Sequence, residues 1–435
     1  MTSRRDFLKT GAITAGAAAF AELGWTQEGA APPMTGPVPP SIERLKSMRQ
    51  QARPISNDER RQRLERAREL MRQNHLDAIF VMSGTSLVYF TGIRWSGGER
   101  TFAMILPVKG DPFFVCPAFE EGRGREQIER GPFEKNIELR TWQEDESPYE
   151  RVAQGLRDRG IASGSLGIEE TVRYVFAAGV GAASPQIKIT SATPVTAGCR
   201  QIKSAHELEL MRLASKVTLL AYAAAWEAAK PGMTQFQFGQ LVSAAHARLG
   251  FQGGASVQVA EYSALPHGSV TPQVIKENAI ILIDGGCSVE GYESDLSRTF
   301  VLGKPTEKMQ QVFDIVHAAQ QAALKQAKPG VQAQSVDAAA RDLIASKGYG
   351  PDYKYFTHRV GHGLGMDGHE WPYLVRGNTM PLQANMTFSD EPGVYIRGEF
   401  GVRLEDDMHI TEDGAELLTP VSNSLEKPFE GVSQS

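Results

Sequence analysis

A tetrapeptide that occurs twice constrains the fold of this chain more than any other feature. Ala-Lys-Pro-Gly stands at residues 229–232 and again at residues 327–330. Each copy is followed by a helical pattern ending at a glycine, a His-Gly pair, an acidic residue beside a glycine turn, and a second acidic residue. Features repeated in the same order indicate a diverged internal duplication. The sequence therefore predicts two related α/β halves that face each other across a pseudo-two-fold axis, with their acidic residues converging at the join.

The acidic residues of the first half belong to a predicted hairpin. Residues 279–283 form a continuous apolar run, which predicts a buried strand that ends at Asp284. A tight connection through Gly291 would then bring Asp295 beside this strand. Asp284 alone would be a turn residue before Gly-Gly. A carboxylate at the end of a buried strand is costly unless it is paired or binds a cation, however, and the matched positions in the second half favour the cation.

The second half supplies the remaining polar candidates. Its matched positions are His362, Glu391 and Glu405, and His362 lies in a glycine-rich stretch that also contains His358 and His369. Glycine lets backbone and substrate approach closely, and loops on a rigid scaffold carry function, so this stretch predicts an active-site wall. Arg403, two residues before Glu405, would orient that carboxylate or form a surface ion pair.

Four carboxylates and one imidazole form an oxygen-rich ligand set, namely Asp284, Asp295, His362, Glu391 and Glu405. Such a set suits Mn²⁺, and Co²⁺, Zn²⁺ or Fe²⁺ could also bind. One metal ion does not need four carboxylates, whereas two ions about 3.5 Å apart do, because carboxylates bridge them. The sequence therefore predicts a centre of two divalent metal ions and a hydrolytic reaction.

Composition excludes several classes of protein. The chain has 435 residues, 41% of them hydrophobic and 22% charged, which fits a globular protein with two domains and a tail. The net charge of −5 is spread along the chain, and no basic run after the first residues indicates nucleic-acid binding. The 3 cysteines are too few and too widely spaced for a disulfide framework, so we expect buried free thiols.

The N-terminus resembles a twin-arginine export signal. Arg4 and Arg5 precede Phe-Leu-Lys and a weakly apolar stretch over residues 11–20, which is too short to span a bilayer stably. The alternative is a disordered basic tail. We expect residues 1–31 to be a signal peptide, the protein to be periplasmic or extracellular, and the mature form to have no stable membrane anchor. The proline-rich residues 32–55 predict a linker or a surface arm.

Two domains are expected after the arm. In residues 56–200, a helical pattern over 58–74 precedes β-like runs at 78–82, 87–91, 101–107 and 112–116, which indicates a small α/β domain. Residues 201–425 contain the duplicated unit, beginning with helical patterns over 205–229 and from Thr234 to Leu249. A homodimer is expected.

Several segments together resemble the pita-bread metallopeptidases. They are Ile-Asp-Gly-Gly at 283–286, Ser-Asp-Leu-Ser-Arg-Thr at 294–299, Gly-His-Gly at 361–363, Glu-Pro-Gly at 391–393 and Arg-Leu-Glu-Asp at 403–406. The presence of an N-terminal domain resembles the Xaa-Pro branch, which contains Xaa-Pro dipeptidase (prolidase) and aminopeptidase P. The resemblance spans about residues 56–420. It implies a creatinase-like α/β domain followed by a duplicated α+β pita-bread catalytic domain.

The resemblance also implies roles for individual residues. The five ligands would hold two metal ions, and a hydroxide bridging them would attack the carbonyl before proline, in a small peptide with proline at the second position. Glu391 would also move a proton to the leaving nitrogen. His267 would bind substrate, His369 would stabilise the tetrahedral intermediate, His358 would line the proline subsite, and Tyr395 and Arg403 would support the ligands.

Other functions remain open from the sequence. The same scaffold could hydrolyse phosphotriesters or cleave dimethylsulfoniopropionate, and the loop at residues 371–380 would decide this. Arg376 in that loop could clamp a substrate carboxylate, which would favour dipeptides, or it could be a solvated surface arginine. A non-catalytic binding module is disfavoured because buried, unused carboxylates are costly. The intact ligand set also disfavours creatinase-like members. Dipeptidase and aminopeptidase are not distinguished.

Overall fold

The computed structural model describes residues 37–134 and 136–434. The expected signal peptide at residues 1–31 lies outside these residues, so it stays a prediction. The first described element is helix α1 (Pro40–Glu43). Among the helices of the described ranges, none combines the length and the apolar character needed to cross a membrane.

The N-terminal part, residues 57–200, is built on a six-stranded mixed sheet. The helices, in chain order, are α2 (Asn57–Gln73), α3 (Thr85–Thr91), α4 (Glu121–Arg130), α5 (Pro148–Asp158), α6 (Tyr174–Ala183) and α7 (Thr193–Arg200). The strands are β1 (Ala78–Met82), β2 (Ala103–Pro107), β3 (Phe113–Pro117), β4 (Glu138–Trp142), β5 (Gly164–Ile168) and β6 (Ile187–Ser191). Their spatial order is β4-β3-β2-β1-β5-β6.

Both faces of this sheet are covered. Successive residues of β1 enter different hydrophobic cores, as the pleat of a strand requires. Ile79 packs with α2, α3, α4 and α7, and Phe80 packs with α5 and α6. The predicted α/β character of this part is therefore confirmed.

One predicted strand of this part is a helix. Residues 87–91 read as β-like because they include valine and aromatic residues, but they belong to α3. Leu87 and Phe90 are spaced one helical turn apart and are fully buried. Gly92 then ends the helix in the left-handed conformation, with φ +76°. Long-range packing therefore overrides the local β preference here.

The C-terminal part, residues 201–434, contains two halves with similar element order. The first half has α8 (Ala205–Ala228), α9 (Gln235–Leu249), β7 (Gln252–Val259), β8 (Ile280–Val289), β9 (Tyr292–Glu293) and β10 (Leu296–Val301). The second half has α10 (Glu307–Gln326), α11 (Ala333–Ser346), β11 (Gly361–Gly363), β12 (Glu370–Leu374), β13 (Thr387–Asp390), β14 (Gly393–Ile396), β15 (Phe400–Arg403), β16 (Asp406–Ile410) and β17 (Ala415–Leu417).

The sheets of the two halves share a pattern that agrees with the predicted duplication. In the first half β8 lies between β7 and β10, and in the second half β13 lies between β11 and β16. All these neighbours are antiparallel. The halves are joined where Ser297 and Glu405 exchange backbone hydrogen bonds, with N–O distances of 3.3 and 3.2 Å.

The predicted end of a strand at Asp284 is wrong. β8 continues through Asp284, Gly285 and Gly286 as far as Val289. The two glycines serve close approach rather than a turn, because a Cβ on Gly286 would lie 1.7 Å from the carbonyl oxygen of Ser294 and one on Gly285 would lie 2.4 Å from that of Gly254. Asp284 therefore lies in the middle of a paired strand, while Gly291 makes the expected tight connection.

The segment predicted as a linker or arm packs firmly on the C-terminal part. Ile42 and Leu45 are buried in one core with residues of α8 and α9. The Ser41 hydroxyl donates to the carbonyl oxygen of Ala224 at 2.7 Å. At the other end of the chain, the Gln434 side chain accepts from the backbone N–H of Lys46 at 2.9 Å. Residues 37–55 are therefore part of the folded body.

Replacing Ile42 by alanine should test this packing. Removing a fully buried isoleucine side chain is expected to lower the free energy of unfolding by about 2–5 kcal/mol. Denaturant unfolding measures the change, and the exposed Val38→Ala is the matched control with an expected change near zero. Equal stability of the two variants would show that the arm does not contribute to the core.

Candidate metal centre

The five predicted ligands come from both halves and meet at the join. Asp284 is on β8, Asp295 lies between β9 and β10, His362 is on β11, Glu391 follows β13, and Glu405 lies between β15 and β16. Donor atoms within 4.8 Å of one another form three overlapping groups: Asp284 with Asp295 and Glu405, His362 with Glu391 and Glu405, and Asp295 with His362 and His369. The structure thus brings together all five residues.

Arg403 and Ser297 hold two of these carboxylates in place. The Arg403 guanidinium contacts Asp284 Oδ2 at 2.6 Å, and its Nε donates to Ser297 Oγ at 2.8 Å. The Ser297 hydroxyl lies 3.0 Å from Asp284 Oδ1 and 2.6 Å from Glu405 Oε2, and its one proton can go to either. Arg403 is buried, so it is an internal partner of the ligands rather than half of a surface ion pair.

A buried carboxyl outside the ligand set, that of Asp407, positions Asp295. The backbone N–H of Asp295 donates to Asp407 Oδ1 at 3.2 Å, and the Ser215 hydroxyl donates to the other oxygen of Asp407 at 2.6 Å. Burial raises the pKa of Asp407 to about 8. Sequence reasoning missed Asp407 and gave Ser297 no role, although Ser297 stands inside one of the recognised motifs.

Burial and mutual repulsion dominate the electrostatics of the ligands. Burial raises the pKa of Asp295 and Glu405, and the negative charges of neighbouring carboxylates raise both further. Burial also raises the pKa of Glu391 to about 7, against the opposing effect of Arg403. Burial lowers the pKa of His362, and the nearby His369 lowers it further. A neutral imidazole offers a nitrogen lone pair to a cation, and the positive charge of a divalent cation would favour the ionised carboxylates.

The residues present fit divalent cations. Carboxylate oxygens and a neutral imidazole nitrogen are ligands for Mn²⁺ and related ions. The imidazole Nε2 of His362 lies 3.3 Å from Glu391 Oε1 and 3.8 Å from Asp295 Oδ2, so it can share a cation with both. One buried arginine cannot neutralise four acidic side chains, which leaves room for positive charge.

The candidate substrate histidines surround this cluster. The His369 ring stacks on His362, with ring centroids 3.7 Å apart. His358 Nε2 lies 2.7 Å from the hydroxyl of Tyr395, which also accepts from Arg403 at 3.0 Å. Burial, followed by the charge of Arg403, lowers the pKa of His358 to about 3, so this imidazole is neutral.

His267 reaches the site from a loop and not from a strand. It is exposed and follows β7, whereas its repeat partner His362 is on β11. The two residues therefore share an order along the chain but not a position in the sheet. Arg403 holds the loop through the carbonyl oxygen of the preceding Pro266, at 3.1 Å.

The structure places Arg376 away from the cluster and puts another arginine beside it. The Arg376 guanidinium is more than half exposed and pairs with Asp352 at 2.9 Å, so the solvated alternative for this residue is the one observed. Arg359, which sequence reasoning missed, lies 3.2 Å from His369 Nδ1 and 4.1 Å above the ring of Tyr373. In the sequence, the one indication that Arg359 belongs to the site was its position next to His358.

Two family descriptions match the chain. Residues 63–202 match the Creatinase/Prolidase N-terminal domain, and residues 209–412 match Metallopeptidase family M24. A Xaa-Pro dipeptidase of Lactobacillus delbrueckii subsp. lactis is 32% identical over 373 residues, which are 83% of this chain and 98% of that protein. The chain belongs to metallopeptidase family M24. The creatinase-like N-terminal domain and the pita-bread catalytic domain expected from the sequence are confirmed.

Solved structures agree with this assignment. The dipeptidase PepE of Mycobacterium ulcerans is 30% identical, with a TM-score of 0.80 over 86% of this chain and 99% of that chain. A prolidase of Thermococcus sibiricus is 28% identical, with a TM-score of 0.74 over 83% of this chain and 97% of that one. Aminopeptidase P of E. coli, at 20% identity and a TM-score of 0.69, shares the fold.

Adding Mn²⁺ to metal-stripped protein should raise Tm more at pH 8 than at pH 5. The raised pKa values of Asp295, Glu391 and Glu405 mean that the folded state holds protons on these carboxyls, so their contribution to stability, largely present at pH 5, is lost as pH rises from the ordinary carboxyl pKa through the raised one, which is about 7 for Glu391. A bound cation offsets that loss, whereas protons compete with it at pH 5.

Thermal unfolding with and without Mn²⁺ at both pH values measures this effect. Asp295→Asn should lose most of the response, and the exposed Asp145→Asn should keep it. A rise in Tm that is the same at both pH values and in both variants would place the bound cations elsewhere.

Proposed function

We propose that this metallopeptidase hydrolyses the Xaa-Pro bond of dipeptides with two divalent cations, Mn²⁺ in the native enzyme. The observation that carries the proposal is the convergence of four carboxylates and one imidazole in a fold whose relatives include a named Xaa-Pro dipeptidase. The residues that would hold the cations are Asp284, Asp295, His362, Glu391 and Glu405. When bound, the cations would supply an activated water molecule and polarise the scissile carbonyl.

Residues of the chain hold the ligands in place and transfer the proton. Arg403 and Ser297 keep Asp284 and Glu405 in one geometry, so the site does not reorganise during the reaction. Glu391 accepts a proton from the attacking water and delivers it to the leaving prolyl nitrogen.

The histidines bind the substrate in this proposal. His369, stacked on His362, donates a hydrogen bond to the oxyanion that develops on the carbonyl. Neutral His358 presents a ring face to the apolar pyrrolidine of proline, next to Tyr395. His267 contacts the substrate from its exposed loop.

The proposed preference of the enzyme for dipeptides rests on Arg359. No carboxylate among the described residues pairs with it, and its charge reaches the cluster, where it lowers the pKa of both His369 and Glu391. Tyr373 holds the guanidinium from one side. A dipeptide ends in a carboxylate directly after proline, and an arginine binds such a group with two parallel hydrogen bonds. A longer peptide has an amide at that position.

We expect the Mn²⁺-loaded enzyme to cleave Ala-Pro faster than Ala-Pro-Gly or Ala-Pro-amide, because only the dipeptide has a carboxylate for Arg359. The value of kcat/KM for each substrate, followed by release of alanine, measures this preference. Hydrolysis of all three at the same rate would indicate an aminopeptidase. Turnover of a phosphotriester or of dimethylsulfoniopropionate, with none of Ala-Pro, would refute the peptidase proposal.

The variant Arg359→Gln isolates the role of the guanidinium. It should lower kcat/KM for Ala-Pro by about 10- to 100-fold, mainly through KM, because one hydrogen-bonded charge pair is lost. The loss with Ala-Pro-amide should be much smaller, which separates recognition of the substrate carboxylate from the effect of Arg359 on His369 and Glu391. Arg376→Gln is the matched control because that arginine is exposed and paired with Asp352. An equal loss with both peptides would assign Arg359 a structural role.

We also propose export by the twin-arginine route. The paired Arg4 and Arg5, followed by the weakly apolar stretch, support it. Conversion of both arginines to lysine should retain the protein in the cytoplasm of a bacterial host that has this route, while Arg49→Lys, outside the signal, should not. Cell fractionation followed by the Ala-Pro assay measures the distribution, and export of the double variant at the normal level would contradict the proposal.

A further inference from the structure

A polar cavity, separate from the metal centre, lies between the N-terminal part and the catalytic part. It has a volume of about 140 Å³, and its charged and polar lining comes from Arg60, Arg63, Arg94, Glu290 and Tyr292. Arg60 and Arg63 are on α2, Arg94 follows α3, and the other two residues lie at the turn between β8 and β9. None of these residues belongs to the metal centre.

The three arginines differ in how many hydrogen-bond and ion-pair partners they have. Arg63 is buried and bound, since it lies 2.7 Å from the hydroxyl of Tyr292 and 3.2 Å from Glu207 Oε1. Arg60 donates from one nitrogen to Asn57 at 3.0 Å, but its buried Nε has no partner. Within the described part of the chain, neither Arg60 nor Arg94 has a carboxylate at ion-pair distance.

The guanidinium groups also repel one another. Burial lowers the pKa of Arg60, and the charges of Arg63 and Arg94 lower it further. Arg63 is paired with Glu207, so among the described residues Arg60 and Arg94 are the two cations of the lining without a carboxylate partner, and the lining offers them one carboxylate, the exposed Glu290. The glycine at position 92 lets Arg60 lie close, because a Cβ there would come within 2.8 Å of its guanidinium carbon. The cavity therefore carries an excess of positive charge in a confined space.

We propose that this cavity binds a tetrahedral dianion, phosphate or sulfate, free or as a monoester. Its volume equals the space of about four to five water molecules in the liquid, enough for one such anion and a water molecule. Arginine donors in a fixed fork suit the oxygens of such anions. The anion offsets the charges of Arg60 and Arg94 at the place where the two parts of the protein meet.

The position of the cavity gives the bound anion a neighbour in the catalytic part. Met366 also lines the cavity and belongs to the stretch between His362 and His369. A Cβ on Gly291 would lie 3.1 Å from the Met366 methyl group and 3.9 Å from Arg94, so these groups pack around one turn. The anion therefore lies beside the turn that packs against the histidine stretch.

Titration of the Mn²⁺-loaded enzyme with inorganic phosphate at constant ionic strength tests the proposal. Isothermal calorimetry should show a Kd at least about tenfold weaker for Arg60→Gln and for Arg94→Gln than for the unmodified enzyme. Arg61→Gln is the matched control, because it removes the same charge from an exposed residue of α2 that pairs with Asp58. Arg94 is exposed, so its variant tests the site even if Arg60→Gln folds poorly.

The outcomes separate this cavity from the metal centre. The metal ligands are intact in every variant, so phosphate held at that centre would bind all of them equally, and that result would overturn the proposal. Absence of phosphate binding to the unmodified enzyme would overturn it as well. Glu290→Gln should tighten binding by removing the one carboxylate of the lining, and weaker binding in this variant would contradict the assigned charge balance. The measurement does not depend on which peptide the enzyme cleaves.

Discussion

Four carboxylates at the join of two halves, Glu405 buried and the other three partly buried, are the constraint on which the rest of the structure depends. Burial raises the cost of ionising Asp295, Glu391 and Glu405, and the negative charges of neighbouring carboxylates add to that cost, which is why the pKa values of all three are raised. Such a cluster is tolerable only with fixed positive charge. Arg403 supplies one charge within the protein, and the ligand geometry suits divalent cations for the remainder.

The support of the ligands crosses between the halves. Arg403 of the second half holds Asp284 of the first, and Asp407 of the second half holds the backbone of Asp295 of the first. In return, Ser297 of the first half holds Glu405 of the second. Each half therefore positions ligands that belong to the other, so the geometry of the cluster exists only when both halves have folded and docked.

The internal repeat made the metal ligands predictable from the sequence. Features that depend on long-range contacts were not predictable in this way. The four carboxylate ligands could be found because each copy of the duplicated unit has two acidic residues in the same order, and His362 could be found from its glycine-rich stretch. Residues 87–91 and the continuation of β8 were misjudged because tertiary packing and close backbone approach decide them. Arg359 could not be preferred to Arg376, since both are arginines near histidines and only the fold shows which one faces the cluster. The homodimer, the native metal and export remain predictions.

The contact between the arm and the far end of the chain has a consequence for the order of assembly. Lys46 and Gln434 are separated by 388 positions yet share a hydrogen bond, and the arm packs on α8 and α9. The residues against which it docks all follow it in the sequence, so they are translated after it. Closing so long a loop carries an entropic cost. Packing of the arm against the folded C-terminal part offsets this cost. The arm is therefore made before the surface that holds it, and it docks only after α8, α9 and the segment around Gln434 have been translated.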